Sequence, residues 1–281
     1  MLLADSSAVS EKERVLAQHQ AALSVMKIGL ENPQLAEYFW LDLACGKGQI
    51  IAHLDEIFPQ DLREKILYYA YDIQVKYVTI AEQRASALKM KSVQAKSGDL
   101  ADFSDHCFSD IRFDFITFTN TVHETDPNIL IPLLVELILR LKPNGQLFIY
   151  DMEKLPEPEL GAISWIGKEF EQIILVLLET LGVKDYKPSS SKWQHTNIQG
   201  WSMSVQRQFV SVSDEYIRSK QADTTQQAAL KMQELLNRKY RECSTILESL
   251  TRYEPQTPEE AQSKIHELYK FWALARAVKK T

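Results

Sequence analysis

Cysteine is scarce in this sequence. Three residues, Cys45, Cys107 and Cys243, are spread over 281 positions. They form no CxxC pair and no cysteine–histidine cluster, so neither a disulfide framework nor a zinc site is indicated and no metal is expected. Such usage fits a reducing compartment, and a cytoplasmic location is the expectation. Glycine and proline are also few, nine and ten, which excludes fibrous and low-complexity classes. No apolar run is long enough to span a bilayer, because the longest, 129–141, is interrupted by Pro132, Glu136 and Arg140. Met1-Leu2-Leu3-Ala4 followed by Asp5-Ser6-Ser7 lacks the apolar stretch of a signal peptide. Positive charge is not in excess either. Lys and Arg number 32 against 38 Asp and Glu, a net charge of −6, which works against broad affinity for nucleic acid or anionic lipid. What is present is an ordinary globular composition, 45% hydrophobic, in a chain long enough for one large domain or two small ones. A soluble enzyme is the expectation.

From about residue 38 to 151, short apolar runs alternate with helical stretches, the pattern of βαβ units on a parallel sheet. A first strand is predicted at 38–43. Its helix follows with Ile50, Ile51, Leu54, Ile57 and Phe58 on one face. A second strand, 66–71, leads into a helix bearing Tyr77, Ile80, Ala81 and Leu88. A weaker third strand, 92–96, ends at Ser97-Gly98-Asp99, and a fourth, 113–118, precedes an apolar helix over 132–141. Lys142-Pro143-Asn144-Gly145 reads as a turn, since proline presets φ and glycine permits positive φ. The fifth strand then follows over 146–150. A helix around 165–181 and strands near 192–197 and 201–209 complete this part.

After about residue 213 the strands stop. Residues 224–250 read as one helix with Ala229, Met232, Leu236, Tyr240, Cys243, Leu247 and Leu250 on a stripe. Thr257-Pro258-Glu259-Glu260 is a helix start, with Thr as cap, Pro in the first turn and Glu three residues after the cap. That helix is expected to run to about Lys280. Residues 214–281 hold 12 basic and 10 acidic side chains, leaving 20 and 28 elsewhere, so the acidity belongs to the α/β part. The stripe is expected to pack within the chain, to form a homodimer seam or to meet a partner. Arg238-Lys239 and Arg241 read as a solvated basic face. The organisation expected is an N-terminal helical segment, 1–37, an α/β domain, 38–213, and a C-terminal helical extension, 214–281.

The informative segment is Asp42-Leu43-Ala44-Cys45-Gly46-Lys47-Gly48, where the first strand ends and its helix begins. Small residues there let backbone N–H groups approach a ligand at the strand's carboxyl edge. The third small residue of a dinucleotide fingerprint is replaced by Ile51, and no Gly-Lys-Ser/Thr follows, which argues against NAD or FAD and excludes a P-loop. Asp72 closes the second strand, 24 residues after Gly48, where a carboxylate can accept both hydroxyls of a ribose. Asp99 closes the third, where it can receive an adenine amine or simply form a turn. The fourth strand ends in Thr119-Asn120-Thr121-Val122-His123-Glu124. Four strand ends in chain order each offer an appropriate polar group.

With these residues the chain resembles the class I S-adenosylmethionine-dependent methyltransferases, clearly over 38–151 and loosely over 165–209. Asp42, Ala44, Cys45, Gly46 and Gly48 look like the family's first motif. Asp72 with Ile73 looks like its ribose-binding acidic position, Asp99 and Leu100 its adenine-binding motif, and Phe113 through Asn120 its fourth-strand motif. Leu141 to Leu147 looks like the turn before strand five. The resemblance implies a Rossmann-like three-layer sandwich with a seven-stranded, mostly parallel sheet whose last two strands form an antiparallel edge. The cofactor implied is S-adenosyl-L-methionine, its amino acid along the glycine loop and its sulfonium towards the fourth strand end.

The acceptor is less defined. Signatures of amino-methylating and cytosine-C5 DNA enzymes are absent. Cys-Gly-Lys-Gly is shared with mRNA-cap methyltransferases, so RNA stays open, as does protein. The negative charge and Asn-x-x-His-Glu favour a small molecule, with no membrane involved. A non-catalytic cofactor-binding scaffold whose helices meet a partner is the alternative class. His123 is the candidate general base and Glu124 its orienting carboxylate. The other reading of the pair is structural, with His123 bonded to a carbonyl and Glu124 opening a helix. Cys45 reads as a packing residue and Lys47 as a rim residue. Trp165, Trp193, His195 and Trp201 either line the acceptor site or anchor the core.

Overall fold

The computed structural model describes residues 17–280 apart from 104–106, 156, 158, 196, 197, 211 and 253. Of the N-terminal segment expected over 1–37, residues 1–16 lie outside the described residues, and so do the side chains of Trp193 and His195. The chain opens with helix α1, Ala17–Leu30, and strand β1, Tyr38–Leu43. Where one amphipathic helix is expected after β1, the structure has a 3₁₀ turn, Ile50–His53, and short helices α2, Leu54–Ile57, and α3, Gln60–Arg63. The apolar positions are nonetheless met, since Ile50, Ile51, Leu54 and Phe58 are all buried. Strand β2, Ile66–Asp72, helix α4, Val75–Ala87, strand β3, Ser92–Ser97, and strand β4, Phe113–Thr119, follow the expected order.

Helix α5 spans Pro127–Leu139 and starts earlier than the apolar run suggests. Asp126 caps it by accepting the Asn128 N–H, and Pro127 occupies the first helical position, where its missing N–H costs nothing. Strand β5, Leu141–Lys154, contains the expected turn as an irregularity. Leu141 pairs with Phe113 and Gln146 with Phe115, so 142–145 loop out between two ladder positions. Gly145 is required there, because a Cβ would stand 2.5 Å from the Phe113 carbonyl oxygen. Helix α6, Gly167–Thr180, and the hairpin of β6, Ser189–His195, and β7, Ile198–Gln206, end the α/β part. Two long helices close the chain, α7 over Asp214–Thr251 and α8 over Pro258–Lys280.

The sheet order is β3-β2-β1-β4-β5-β7-β6. Strands β1 to β5 are parallel, and β7 runs against both of its neighbours. The order reverses between β1 and β4, so the carboxyl ends of these strands open the crevice where ligands bind in such sheets. Alternation along the strands divides the core in two. Trp40, Tyr68, Ala70, Phe115 and Phe148 face α1, α2 and α4. Leu41, Leu43, Tyr69, Ile116 and Ile149 face α5, α6 and the two C-terminal helices. Three layers result, and α7 and α8 belong to one of them. Ile217, Ala228, Met232, Leu235, Leu236 and Cys243 are buried in that shared core, whereas Ala229 is exposed. The stripe is thus turned slightly from its expected phase. Lys239 is also buried, 2.6 Å from Glu169 of α6, and Arg238 meets the same carboxylate at 2.8 Å. The Arg238-Lys239 pair therefore anchors α7 and is not the solvated face expected. Trp165 and Trp201 are fully buried, with the Trp201 indole N–H donating to the Trp165 carbonyl, which makes them core anchors. No helix among the described residues is long and apolar enough to cross a membrane.

Candidate functional site

The segment after β1 is a tight turn in the left-handed backbone region. Ala44, Gly46 and Gly48 have φ of 55°, 53° and 72°. At Gly48 a Cβ would come within 3.2 Å of the Ala81 backbone on α4, so only glycine allows that close approach. Ala44 carries its Cβ in the same region, a strain of about 1–2 kcal/mol. Backbone bonds hold the turn, the Cys45 N–H donating to Tyr71 O and the Gly48 N–H to Cys45 O. Arg84 of α4 donates to the Lys47 carbonyl at 2.9 Å. The Lys47 ammonium lies over the Tyr77 ring, so its side chain packs along α4. Cys45 is buried and its thiol pKa is pushed well up by burial and by Asp42 and Asp72, consistent with packing and not with a nucleophile.

Asp72 is the latch of this turn. One carboxylate oxygen accepts the Gly46 N–H at 2.9 Å and the other accepts the Gln74 N–H at 2.9 Å. Its pKa is raised, with burial outweighing those two bonds. Asp42 lies within the sheet, where Thr117 Oγ1 and the Tyr68 hydroxyl donate to its two oxygens at 2.8 and 2.9 Å. The Trp40 indole N–H donates in turn to Thr117 Oγ1. Burial pushes Asp42 up to about 6 against those bonds, and the nearby Asp72 adds to the rise.

A raised folded-state value means that protonation of Asp42 stabilises the fold. That contribution is full below about pH 4 and is lost as pH rises through about 6. The shift corresponds to about 3 kcal/mol for this fully buried group. Asp42→Asn removes the titration while keeping the shape. Its stability relative to the parent, from denaturant melts, is expected to rise by about that amount between pH 4 and pH 7. Parallel pH curves for the two proteins would refute it.

The other expected residues ring the same crevice. Ile73 is 45% exposed beside Asp72, an apolar face at a strand end. Asp99 is exposed and caps a 3₁₀ turn by accepting the Ala101 N–H at 3.0 Å, while its carbonyl accepts the Tyr71 hydroxyl. Leu100 is half-buried against the core. Asn120 has φ of 54°, and its N–H donates to Tyr150 O. Its side-chain oxygen is buried without a hydrogen-bond partner among the described residues, an acceptor of the kind that water or a ligand satisfies.

His123 and Glu124 sit in the loop after β4, and two further carboxylates join them. His123 is 2% exposed and Asp151, in the last third of β5 just past its pairing with the end of β4, is 1% exposed. Asp151 takes the His123 backbone N–H at 2.7 Å and approaches Nδ1 at 2.5 Å. On the other side, His123 Nε2 lies 3.3 Å from Glu159 Oε2 and 3.7 Å from Glu124 Oε1. Burial disfavours the charged imidazole, yet Asp151 first and Glu159 second outweigh it and carry His123 up to about 10. Glu124 was expected to orient the ring. In the structure Asp151 holds that position, and Glu124 faces the opposite nitrogen with its own pKa raised by burial.

The family of methyltransferase domains matches residues 36–195. The chain belongs to it, as a class I S-adenosylmethionine-dependent methyltransferase. No curated protein matches this methyltransferase. Among solved structures, the magnesium protoporphyrin IX methyltransferase of Synechocystis PCC 6803 with bound SAH is similar at 15% identity and a TM-score of 0.48, over 67% of this chain and 83% of that one. CurJ carbon methyltransferase is similar at 17% and 0.49, over 68% and 54%. A SAM-dependent methyltransferase from Aquifex aeolicus is similar at 20% and 0.41, over 66% and 88%.

Sequence reasoning on this methyltransferase missed Tyr68, Thr117, Asp151 and Glu159. Asp151 left a usable signal, because it is an acidic residue following the apolar run of a strand, as Asp72 is. Thr117 left a weaker one, a hydroxyl inside an otherwise apolar β4. Tyr68 and Glu159 left none.

Proposed function

We propose that the methyl acceptor is a small organic molecule, bound at the carboxyl edge of β4 beside His123. The observation that carries this reading is the charge there. Asp151, Glu124 and Glu159 converge on one imidazole, an excess of acidic groups over the single cation that works against a phosphodiester backbone. The acidic balance of the α/β part acts in the same sense.

In this reading Asp72 accepts the cofactor's ribose hydroxyls with the lone pairs its backbone bonds leave, and Ile73 and Leu100 flank the adenine beside Asp99. Ala44, Cys45, Gly46 and Gly48 present backbone groups to its amino acid portion, with Asp42 supplying negative charge beneath the turn. The buried, unpaired side-chain oxygen of Asn120 fits such a ligand. S-adenosylmethionine supplies the methyl group as an electrophile on a positive sulfur. The chain's own residues align and desolvate the acceptor, which suffices for large rate effects. Asp151 holds Nδ1 of His123 at 2.5 Å and the looser side at Nε2 faces Glu159 and Glu124, so in this reading the ring is a charge-balanced wall of the acceptor site and not a free base.

Incubation with methyl-labelled cofactor and a fractionated cell extract tests the proposal. Label is expected in the low-molecular-mass fraction. Label in RNA or protein alone would overturn it.

A further inference from the structure

The three carboxylates around His123 have a geometry that acceptor positioning alone does not require. We propose that His123 Nε2 with the carboxylates of Glu124 and Glu159 forms a binding site for a divalent first-row transition metal, with Asp151 fixing the histidine from behind. The three ligand atoms lie within 4.8 Å of one another. The two separations from Nε2 are 3.3 and 3.7 Å. Nitrogen and oxygen ligands about 2.0–2.2 Å from a shared ion stand about 3–3.5 Å apart in octahedral or tetrahedral arrangements. Closing the cluster onto an ion displaces the proton from Nε2 and needs shifts of a few tenths of an ångström there, with the two carboxylate oxygens closing from within 4.8 Å of each other.

The support behind the ring is a separate observation. A metal-binding histidine generally gives its other ring nitrogen to a carboxylate, which sets the tautomer and the ring plane. Here Asp151 does this at 2.5 Å, and it is itself held in place by the backbone N–H groups of His123 and Met152. The loop bearing Glu159 is tied to the same residue, because the Ile163 N–H donates to the His123 carbonyl at 2.7 Å. Glu124 and Glu159 are partly exposed side chains on the far side of a buried, fixed histidine. The loop after β4 thus supplies a fixed nitrogen donor and one oxygen donor, the segment at 159 a second oxygen donor, and β5 the supporting carboxylate of Asp151. One imidazole with two carboxylates suits Zn²⁺, Co²⁺ or Mn²⁺ better than Ca²⁺, which prefers oxygen alone. The site rests on no assumption about the acceptor's identity.

The test uses the full chain stripped with a chelator. Zn²⁺ titration by calorimetry is expected to show one site per chain, and Co²⁺ should give visible absorption bands that Zn²⁺ abolishes. Glu159→Gln and Glu124→Gln should each weaken Co²⁺ binding at least tenfold, and Asp151→Asn about 10–100-fold. Glu159 lies on a partly exposed loop, so its variant keeps the test informative if the Asp151 or His123 variants fail to fold, which circular dichroism will report. Absence of saturable Co²⁺ or Zn²⁺ binding, Ca²⁺ binding as tight as Zn²⁺, or an unchanged titration in folded Glu159→Gln would overturn the proposal. A bound divalent ion would offset the carboxylate charge at this edge, so the acceptor class is decided by the labelling experiment alone and the metal by these titrations.

Discussion

Asp72→Ala is expected to bind S-adenosylhomocysteine roughly 5–150-fold more weakly than the parent, a loss of about 1–3 kcal/mol. The parent is expected at micromolar affinity, about −8 kcal/mol. The argument starts from what Asp72 does without ligand. Its two oxygens satisfy the N–H groups of Gly46 and Gln74, so it fixes the turn between β1 and α2 from the end of β2. Each oxygen can accept a second hydrogen, which leaves capacity for a diol. Alanine removes both functions, orphaning the Gly46 N–H in a part-buried site and taking away the hydroxyl acceptor. Asn keeps one acceptor oxygen and should fall between the two. Calorimetry showing Asp72→Ala indistinguishable from the parent would remove the assignment of Asp72 as the ribose-binding residue.

How far the sequence reveals this site depends on range. The turn at 44–48 is local, since glycine spacing at a strand end encodes it directly, and Ala44, Gly46 and Gly48 all show positive φ. Strands β1, β2 and β4 and the central part of β5 are legible for a related reason, whereas β3 has no buried residue and reads weakly. Strands buried on both faces read as continuous apolar runs, and β1 is bounded as expected. The limits of α5 are not, because the capping signal Asp126-Pro127 lies upstream of the apolar run that draws attention. Least legible are pairings across long separations. The bond between His123 and Asp151 spans 28 residues and that between Glu169 and Lys239 spans 70. Each needs the assembled sheet or the docked α7 to exist, and neither leaves a spacing in the chain. Lys239 in particular looks like any surface lysine until Glu169 is placed opposite it.

Removing everything after Val212 is expected to leave the protein aggregated, or with melting temperature lowered by far more than a surface truncation would give. Helices α7 and α8 share their buried side chains with the sheet face covered by α5 and α6. Taking away Met232, Leu235 and Leu236 would open that face to water, and a single buried Leu→Ala change already costs about 2–5 kcal/mol. The truncation would also strand Glu169, whose low exposure is tolerable because Lys239 and Arg238 surround it. Burial alone would raise the Glu169 pKa, and the two cations hold it below its ordinary value. The pair therefore stabilises the fold above that ordinary value and loses its effect as pH falls below it. Breaking one side of a buried pair typically costs 3–5 kcal/mol. Lys239→Ala should approach the lower end of that range, because Arg238 still reaches the carboxylate. The two effects separate the origins of the instability. Leu236→Ala should lower stability equally at pH 4 and pH 7 in denaturant melts, whereas the deficit of Lys239→Ala should shrink towards pH 4. A truncated chain that stays soluble and monomeric with unchanged melting would show instead that α7 and α8 form a detachable arm.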